Sequence, residues 1–337
     1  MGRELRIFIC AMLTSIAPLF GQGPTLTGAG YTGRVPIRIA PGQITTLFVA
    51  GLKTVLPQPV RAPSLPLPNS LAGISVTINQ SGASYPAPLV SVQQVGVCSS
   101  GGAPPPPPPS LPTPDCVVTA IIVQVPYEIV AARPGDSLPL NTEIEVSENG
   151  ATSKAFQATA VIDNLHVLST CDSFPSPGLP SSACVPVVAH GDGTLVTVDT
   201  PATAGEEIVI YAFGLGSTSP AVKTGNATPA PAPVLTGNRL VYVQFDFRPN
   251  ASPSPPYFNP LILAPFVPVA IFTGLTPGEV GLYQINVRIP SSLPPLGRCT
   301  PGAQPGLPYN SVLSNVTIDI GANTSFDGAA ICVAPAP

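Results

Sequence analysis

The sequence predicts an all-β protein with two tandem immunoglobulin-like β-sandwich domains after an N-terminal signal peptide. Three observations predict this fold class: the composition, short segments of alternating apolar and polar residues, and one strand pattern that occurs twice. The 337 residues suffice for two ordinary domains. We predict domain 1 at residues 24–168, a linker at 169–189 and domain 2 at 190–337.

The composition excludes most other fold classes. The chain has 47 prolines, 31 glycines and no tryptophan, and only 9% of its residues are charged. A proline inside a helix costs about 3 kcal/mol, so this proline content excludes a helical bundle. A hydrophobic fraction of 44% can bury a core, which argues against disorder throughout. Short strands joined by proline and glycine turns are typical of a β-sandwich.

The N-terminal segment is typical of a secretory signal. Arg3 and Arg6 make its start positive, and an apolar run extends from Ile7 to Phe20. This run is short for a membrane span, which needs about 20 apolar residues. We therefore expect a signal peptide at residues 1–23 and a protein that is secreted or held at the cell surface. An uncleaved anchor is the alternative.

Six cysteines follow the predicted signal, and an even number in an exported chain predicts disulfides. Pairing sequence neighbours closes three loops rich in Pro, Gly or Ser: Cys98–Cys116, Cys171–Cys184 and Cys299–Cys332. In the chain-entropy account each bond stabilises the fold by about 3 kcal/mol. Free thiols or a metal site are the alternatives. Because no CxxC spacing occurs, we expect no metal and no cofactor.

One strand pattern occurs twice, as PGQITTLFVAGL and as AGEEIVIYAFGL. The glycines Gly42 and Gly51 of the first stand at the same interval as Gly205 and Gly214 of the second. A second strand pattern, TAIIVQVP or GLYQINVRIP, follows at nearly the same distance in both halves. Two patterns repeated in the same order predict that the chain is a tandem repeat of one module.

Further strands complete each copy. The alternating segments GISVTI and RLVYVQF predict one strand in each half, and SNVTIDI predicts a late strand in the second. The segment at residues 142–162 predicts a hairpin with Asn149-Gly150 as its turn. In GLYQINVRIP one set of alternating residues is predicted to face the core, namely Tyr283, Ile285, Val287 and Ile289.

Part of the second half resembles a known family. The segments GEEIVIYAFGLGSTSP, PVAIFTGLTPGEVGLYQINVRIP and SNVTIDI are similar to the Solibacter-type C-terminal domain family of secreted acidobacterial proteins. The resemblance covers residues 186–335, and the first half looks like a diverged copy in which a proline-rich segment at 98–116 replaces GLTPGEVG. Because this family has no established activity, the resemblance implies a fold and export, without site residues.

Two places have residue types that are used in catalysis. His190 and Asp192 in HGDG suit a catalytic or metal pair, but no GxSxG or HExxH motif accompanies them, so a turn is the favoured interpretation. Glu143 and Glu145 share a strand face at about 6–7 Å, which suits a glycosidase pair, but a solvated face explains them better. We predict no catalytic, cofactor-binding or metal-binding residue.

These observations favour a non-enzymatic structural or adhesion protein. The alternative is an extracellular binding module for a cell-surface protein or a polysaccharide. Polysaccharide is disfavoured because sugar sites stack rings on aromatic residues, and the chain lacks tryptophan. Nucleic acid is excluded because the net charge is −4 and the 13 basic residues are scattered.

The proline-rich segment at residues 98–116 contains six consecutive prolines, which form a stiff polyproline II rod. Such rods serve as recognition elements for protein partners. A tolerated low-complexity insertion at a loop tip is the alternative explanation.

Overall fold

The computed structural model describes residues 24–29, 37–96, 117–131, 141–170, 172, 186–246, 266–294, 314–320, 323–324 and 329–334. The fold is nearly all β, with 47% of the described residues in strands and 1% in a helix, which confirms the predicted all-β sandwich class. The predicted signal, the proline-rich segment and five of the six predicted disulfide cysteines lie outside the described residues. In the part of the chain that is described, no helix is long and apolar enough to cross a membrane.

The first half forms two sheets. Its strands are β1 (Thr25–Ala29), β2 (Arg38–Ile39), β3 (Ile44–Ala50), β4 (Val60–Arg61), β5 (Ile74–Gln80), β6 (Ala83–Ala87), β7 (Leu89–Gly96), β8 (Val117–Gln124), β9 (Thr142–Glu148), β10 (Ala151–Thr152) and β11 (Phe156–Ala160). Sheet 1 has the order β1-β3-β8-β7-β4, and sheet 2 has the order β2-β11-β9-β5-β6 with β10 beside β9. Only the pairing of β2 with β11 is parallel among these strands.

The second half also forms two sheets. Its strands are β12 (His166–Val167), β13 (Val188–His190), β14 (Glu207–Phe213), β15 (Thr218–Ser219), β16 (Val234–Leu235), β17 (Tyr242–Asp246), β18 (Phe272–Leu275), β19 (Tyr283–Arg288), β20 (Ser314–Ile320), β21 (Asn323–Thr324) and β22 (Ala329–Ile331), with a short 3₁₀ turn at Thr236–Asn238. Sheet 3 has the order β12-β14-β19-β18-β16-β15 with β13 beside β14. Sheet 4 has the order β17-β20-β21 with β22 beside β20.

The buried hydrophobic side chains form two clusters, one in each half. The first cluster joins sheets 1 and 2 and includes Leu47 and Ile78. The second joins sheets 3 and 4 and includes Ile210 and Phe245. Each cluster draws side chains from two facing sheets, which is the packing of a β-sandwich.

The two halves share the same strand pairing, as the repeated pattern predicts. β3 pairs with β8, and β14 pairs with β19, in the same register relative to the repeated glycine and proline. Gly42 and Gly205 have φ angles of 74° and 76°, a left-handed conformation that glycine adopts without a steric cost. Three residues before each glycine the chain makes a parallel pairing near the end of its half. Ile39 pairs with Ala160, and Ala202 pairs with Val333.

The predicted hairpin is present. β9 and β10 pair around Asn149 and Gly150, whose φ angles of 49° and 87° are those of a type I′ turn. In β19 the side chains alternate as predicted, with Tyr283, Ile285 and Val287 buried and the residues between them partly exposed. Both elements could be predicted from the sequence, because side chains along a strand point alternately to the two faces of the sheet.

Two short strands near the predicted domain boundary at residue 168 belong to sheet 3. Leu165 and Val167 pack in the second cluster, and β12 pairs with β14 of sheet 3. β13 joins the same strand and begins inside the predicted 169–189 linker. Strands of two or three residues are too short for an alternation pattern, so the sequence does not reveal which sheet they join.

Candidate functional site

The two halves of the chain meet at a buried junction centred on Tyr127, which follows β8. Its ring lies directly on Gly42, because a Cβ added to Gly42 would stand 2.0 Å from Tyr127 Cε1. Gly281, in the other half, lies against the backbone of Gly42: a Cβ added to Gly281 would stand 2.6 Å from the Gly42 carbonyl oxygen. Tyr127 also packs against the second hydrophobic cluster. Both glycines are therefore needed for the close approach of the two halves.

Two tyrosine hydroxyls lie side by side at this junction. Burial raises the pKa of Tyr127 to about 12, although the neighbouring Tyr283 hydroxyl acts in the opposite direction. Burial also raises the pKa of Tyr283 well above its ordinary value. The Tyr283 hydroxyl donates a hydrogen bond to the Gly216 carbonyl oxygen. Both phenols stay neutral, so the junction contains no phenolate charge.

Hydrogen bonds link the halves beside Tyr127. The Leu67 amide donates to the Gly225 carbonyl oxygen at 2.7 Å, and the Gly225 amide donates to Gln124 Oε1 at 2.6 Å. The Tyr127 amide donates to Thr224 Oγ1 at 2.9 Å. Gln124 is fully buried, so its acceptor would be left without a partner if the halves separated. These bonds are directional, and they fix the orientation of the two halves at this point.

A cleft of about 400 Å³ lies beside the junction, and both halves line it. Its floor includes a row across sheet 1 in which Thr46 lies opposite Ile122, Ile122 opposite Ser91, and Ser91 opposite Arg61. The second half supplies the opposite wall, which is mainly apolar and contains Leu168, Phe213, Val280 and Leu282. The volume falls within the range of about 300–1,000 Å³ that is typical of small-molecule sites.

Ser91 is the polar group on the floor of this cleft. Its neighbour Val92 belongs to the first hydrophobic cluster, so Ser91 faces the opposite side of sheet 1. The residue is only 3% exposed, and Ser91 Oγ has no hydrogen-bond partner among the described residues. Ile122, its cross-strand neighbour, is also buried and lines the same cleft.

His190, one of the candidate residues from the sequence, is the last residue of β13, and its ring contacts two hydrogen-bond acceptors. Its Nδ1 contacts the Glu206 carboxylate, and its Nε2 lies 3.0 Å from the Thr200 carbonyl oxygen. Glu206 also accepts bonds from the Thr203 amide and hydroxyl at 2.8 and 3.0 Å. Carboxylates and carbonyl oxygens only accept, so this arrangement favours the protonated ring, in which both nitrogens donate. The bond to Glu206 raises the pKa of His190.

Asp192, the other candidate in HGDG, shapes a turn. Its carboxylate accepts bonds from the Thr194 amide and hydroxyl at 2.9 and 2.7 Å. HGDG therefore forms the turn that the sequence favoured. Among the described residues, no group of three or more His, Cys, Asp or Glu side chains is arranged to hold a metal ion.

We expect the His190–Glu206 pair to make the unfolding free energy depend on pH. The pKa of His190 is raised, so its contribution is complete below its ordinary pKa of about 6.5 and is lost as pH rises through the folded value. Burial acts to raise the pKa of Glu206, but bonds from His190 and Thr203 outweigh burial and lower it. The Glu206 contribution is therefore present above its ordinary pKa and is lost as pH falls through the folded value.

Urea denaturation at pH 5.5 and pH 9 tests this expectation. The wild-type protein should exceed the His190→Gln variant in stability at pH 5.5, and the difference should shrink at pH 9. A difference that stays constant across this range would show that the imidazolium does not stabilise the fold.

The carboxylates of β9 divide between its two faces. Glu143 and Glu145 are partly exposed, and Glu143 accepts a bond from Gln157 Nε2 at 2.5 Å. Glu148 is buried on the core side and accepts bonds from the Lys53 and Thr54 amides at 2.9 and 2.6 Å. Strict alternation from Ile144 places Glu148 on the core side, a signal that the sequence interpretation did not use.

Replacing Glu148 with glutamine should lower the free energy of unfolding by about 1–3 kcal/mol, because the partly buried Lys53 and Thr54 amides lose a charged acceptor. Burial acts to raise the pKa of Glu148, but the bonds from Lys53 and Thr54 outweigh it and lower the pKa. Glu145→Gln, on the exposed face of the same strand, should change stability by less than about 0.5 kcal/mol. Urea denaturation measures both, and equal losses would contradict the assignment.

Two further side-chain pairs lie near the junction. His166, which is 2% exposed, contacts Asp172 with Nε2 at 2.7 Å from Oδ2. Arg239 Nη1 lies 2.8 Å from Asp163 Oδ2, and Arg239 Nη2 donates to the Leu215 carbonyl oxygen at 2.7 Å. The Asp163 side chain is 2% exposed, so this pair is largely shielded from water.

Of the six predicted disulfide cysteines, Cys332 lies within the described residues. It is fully buried and disulfide-bonded. The pairings Cys98–Cys116, Cys171–Cys184 and Cys299–Cys332 therefore stay predictions.

Comparison with models of protein families finds no match for the chain, and no curated protein is significantly similar to it. The resemblance to the Solibacter-type family therefore rests on the segments quoted above.

Proposed function

We propose that the protein is a secreted, non-enzymatic structural or adhesion protein whose two sandwiches act as one rigid unit at the cell surface. The observation that carries this proposal is the junction, where the Tyr127 ring fills the space between Gly42 and the second cluster. A rigid pair holds the groups at its two ends at a fixed distance, which is what a spacer or a presenting stalk requires.

The energetics of the junction support rigidity. Bending it would expose the Tyr127 ring and break the bonds between Gly225 and the buried Gln124 and Leu67. Each buried hydrogen-bonding group left without a partner costs about 1–3 kcal/mol. Export is supported by the N-terminal sequence, and adhesion by the proline-rich segment at residues 98–116.

A pull-down against intact cells and cell-envelope polysaccharide tests the proposal. The matched variant has residues 101–114 replaced by a short Gly-Ser bridge. Binding that is lost only in this variant would support adhesion through the proline-rich segment. Binding by neither protein would support a passive structural role.

The Tyr127→Ala variant tests the rigidity of the junction. Loss of binding in this variant, although the folded sandwiches persist, would show that rigidity is needed for binding. Turnover of a substrate that His190→Ala abolishes would overturn the non-enzymatic proposal.

A binding module for a protein or polysaccharide is the second candidate, and the cleft beside the junction favours it. Leu282 lies on the wall of the cleft and is only partly buried, so Leu282→Arg should block the cleft without disturbing a core. Loss of cell or polysaccharide binding in this variant, with binding retained when residues 101–114 are replaced, would favour the module.

A further inference from the structure

We propose that the cleft between the sandwiches binds a small, uncharged, mainly apolar molecule that carries one hydroxyl, carbonyl or amide group. This inference goes beyond the structural role and does not depend on it. It rests on one buried polar atom, on the apolar surroundings of that atom, and on the position of the charged residues around the cleft.

The polar atom is Ser91 Oγ. It is buried on the floor of the cleft and has no hydrogen-bond partner among the described residues. Buried polar groups are nearly always hydrogen-bonded, because an unpartnered one lowers stability. A serine hydroxyl both donates and accepts, so it can bind an alcohol, a carbonyl or an amide. The inner end of the ligand should therefore carry one such group.

The surroundings of Ser91 require the rest of the ligand to be apolar. Ile122 lies beside it on the floor, and Phe213 and Leu282 of the second half line the same cleft. Apolar groups that leave water for such a wall contribute about 25 cal/mol per Å² of buried surface. The volume of about 400 Å³ lies at the small end for a ligand site, so the molecule is small.

The charges around the cleft exclude a charged inner end. Arg61 lies opposite Ser91 in the strand pairing, but it is exposed and already interacts with another group, and Glu279 is exposed as well. Asp172, the third charged residue of the lining, is bonded to His166. An ionic group buried beside Ser91 would lose its water, and the neighbouring Arg61 charge is exposed to solvent and already engaged, so it offsets little of this cost. The ligand head is therefore neutral.

Binding to 1-octanol, octanoate and octylammonium at pH 7 tests this proposal with one chain length and three head groups. The full-length protein is titrated with each compound, and binding is followed by calorimetry and by the shift in melting temperature. The wild type should bind octanol at least about tenfold more tightly than either ion, because burying the ion is costly. A ligand that binds only the folded state should raise the melting temperature.

Three variants make the test specific. Ser91→Ala should weaken octanol binding about fivefold, the value of one ordinary hydrogen bond, while its ligand-free melting temperature stays equal or rises. Leu282→Arg should abolish octanol binding by filling the cleft with charge. Ser84→Ala, at an exposed position on β6, should bind octanol as the wild type does. No saturable octanol binding by the wild type, equal affinities for the three compounds, or unchanged binding in Leu282→Arg would overturn the proposal.

Discussion

Replacing Tyr127 with alanine is expected to lower the free energy of unfolding by about 3 kcal/mol. This is near the lower end of the losses measured when buried aromatic residues are replaced with alanine. The ring rests on Gly42 and against the second cluster, so its removal leaves a cavity that neither sandwich can fill by moving alone. The rigid β-strands on both sides limit collapse into that cavity. Urea denaturation of the wild type and the variant measures the loss.

Tyr127→Phe is the matched control. The Tyr127 hydroxyl lies beside that of Tyr283 but makes no hydrogen bond of good geometry. Its removal should therefore change stability by less than about 1 kcal/mol, because no bonded partner is abandoned. If the phenylalanine variant lost as much stability as the alanine variant, the hydroxyl rather than the ring would hold the junction.

Replacing Arg239 with alanine is expected to lower the free energy of unfolding by about 3–5 kcal/mol, the usual cost of removing one partner from a buried ion pair. The Asp163 side chain is 2% exposed and would lose its guanidinium partner. The Leu215 carbonyl oxygen would lose its donor at the same time. Arg239→Lys should recover only part of this loss, because an ammonium does not reproduce the two-pronged geometry of the guanidinium.

Arg288→Ala is the control for charge alone. The Arg288 side chain is 64% exposed and lies 4.0 Å from Glu207, so its loss should cost less than about 1 kcal/mol. Thermal and urea denaturation of the three variants at one salt concentration provide the comparison. Similar losses for Arg239→Ala and Arg288→Ala would contradict the assignment of a structural role to the buried pair.

The strand pattern predicted much of the fold because the signals were local. The repeated glycines and strands predicted a tandem repeat, and the structure gives β3 with β8 and β14 with β19 equal registers, with each glycine in the left-handed turn before its strand. The burial of Tyr283 followed from alternation along β19. Asn149 and Gly150 predicted their turn because few residues other than Asn and Gly adopt positive φ.

The junction and the cleft could not be predicted from the sequence, because the residues that form them are far apart in the chain. Nothing local distinguishes Gly225 as the partner of Leu67 and Gln124. The position of Ser91 could not be predicted either, because its side chain lies on the outer face of sheet 1 owing to an irregularity in the pairing of β7 with β8. Such a shift changes which side chains share a face, and turn or strand propensity does not encode it.

The central claim is that the two sandwiches form one unit through the Tyr127 junction, and calorimetry of the full-length protein tests it most directly. We predict a single unfolding transition whose calorimetric enthalpy equals the van't Hoff enthalpy, as in cooperative two-state unfolding. The Tyr127→Ala variant should resolve into two transitions. Two separate transitions in the wild-type protein would contradict the claim, because the sandwiches would then unfold independently.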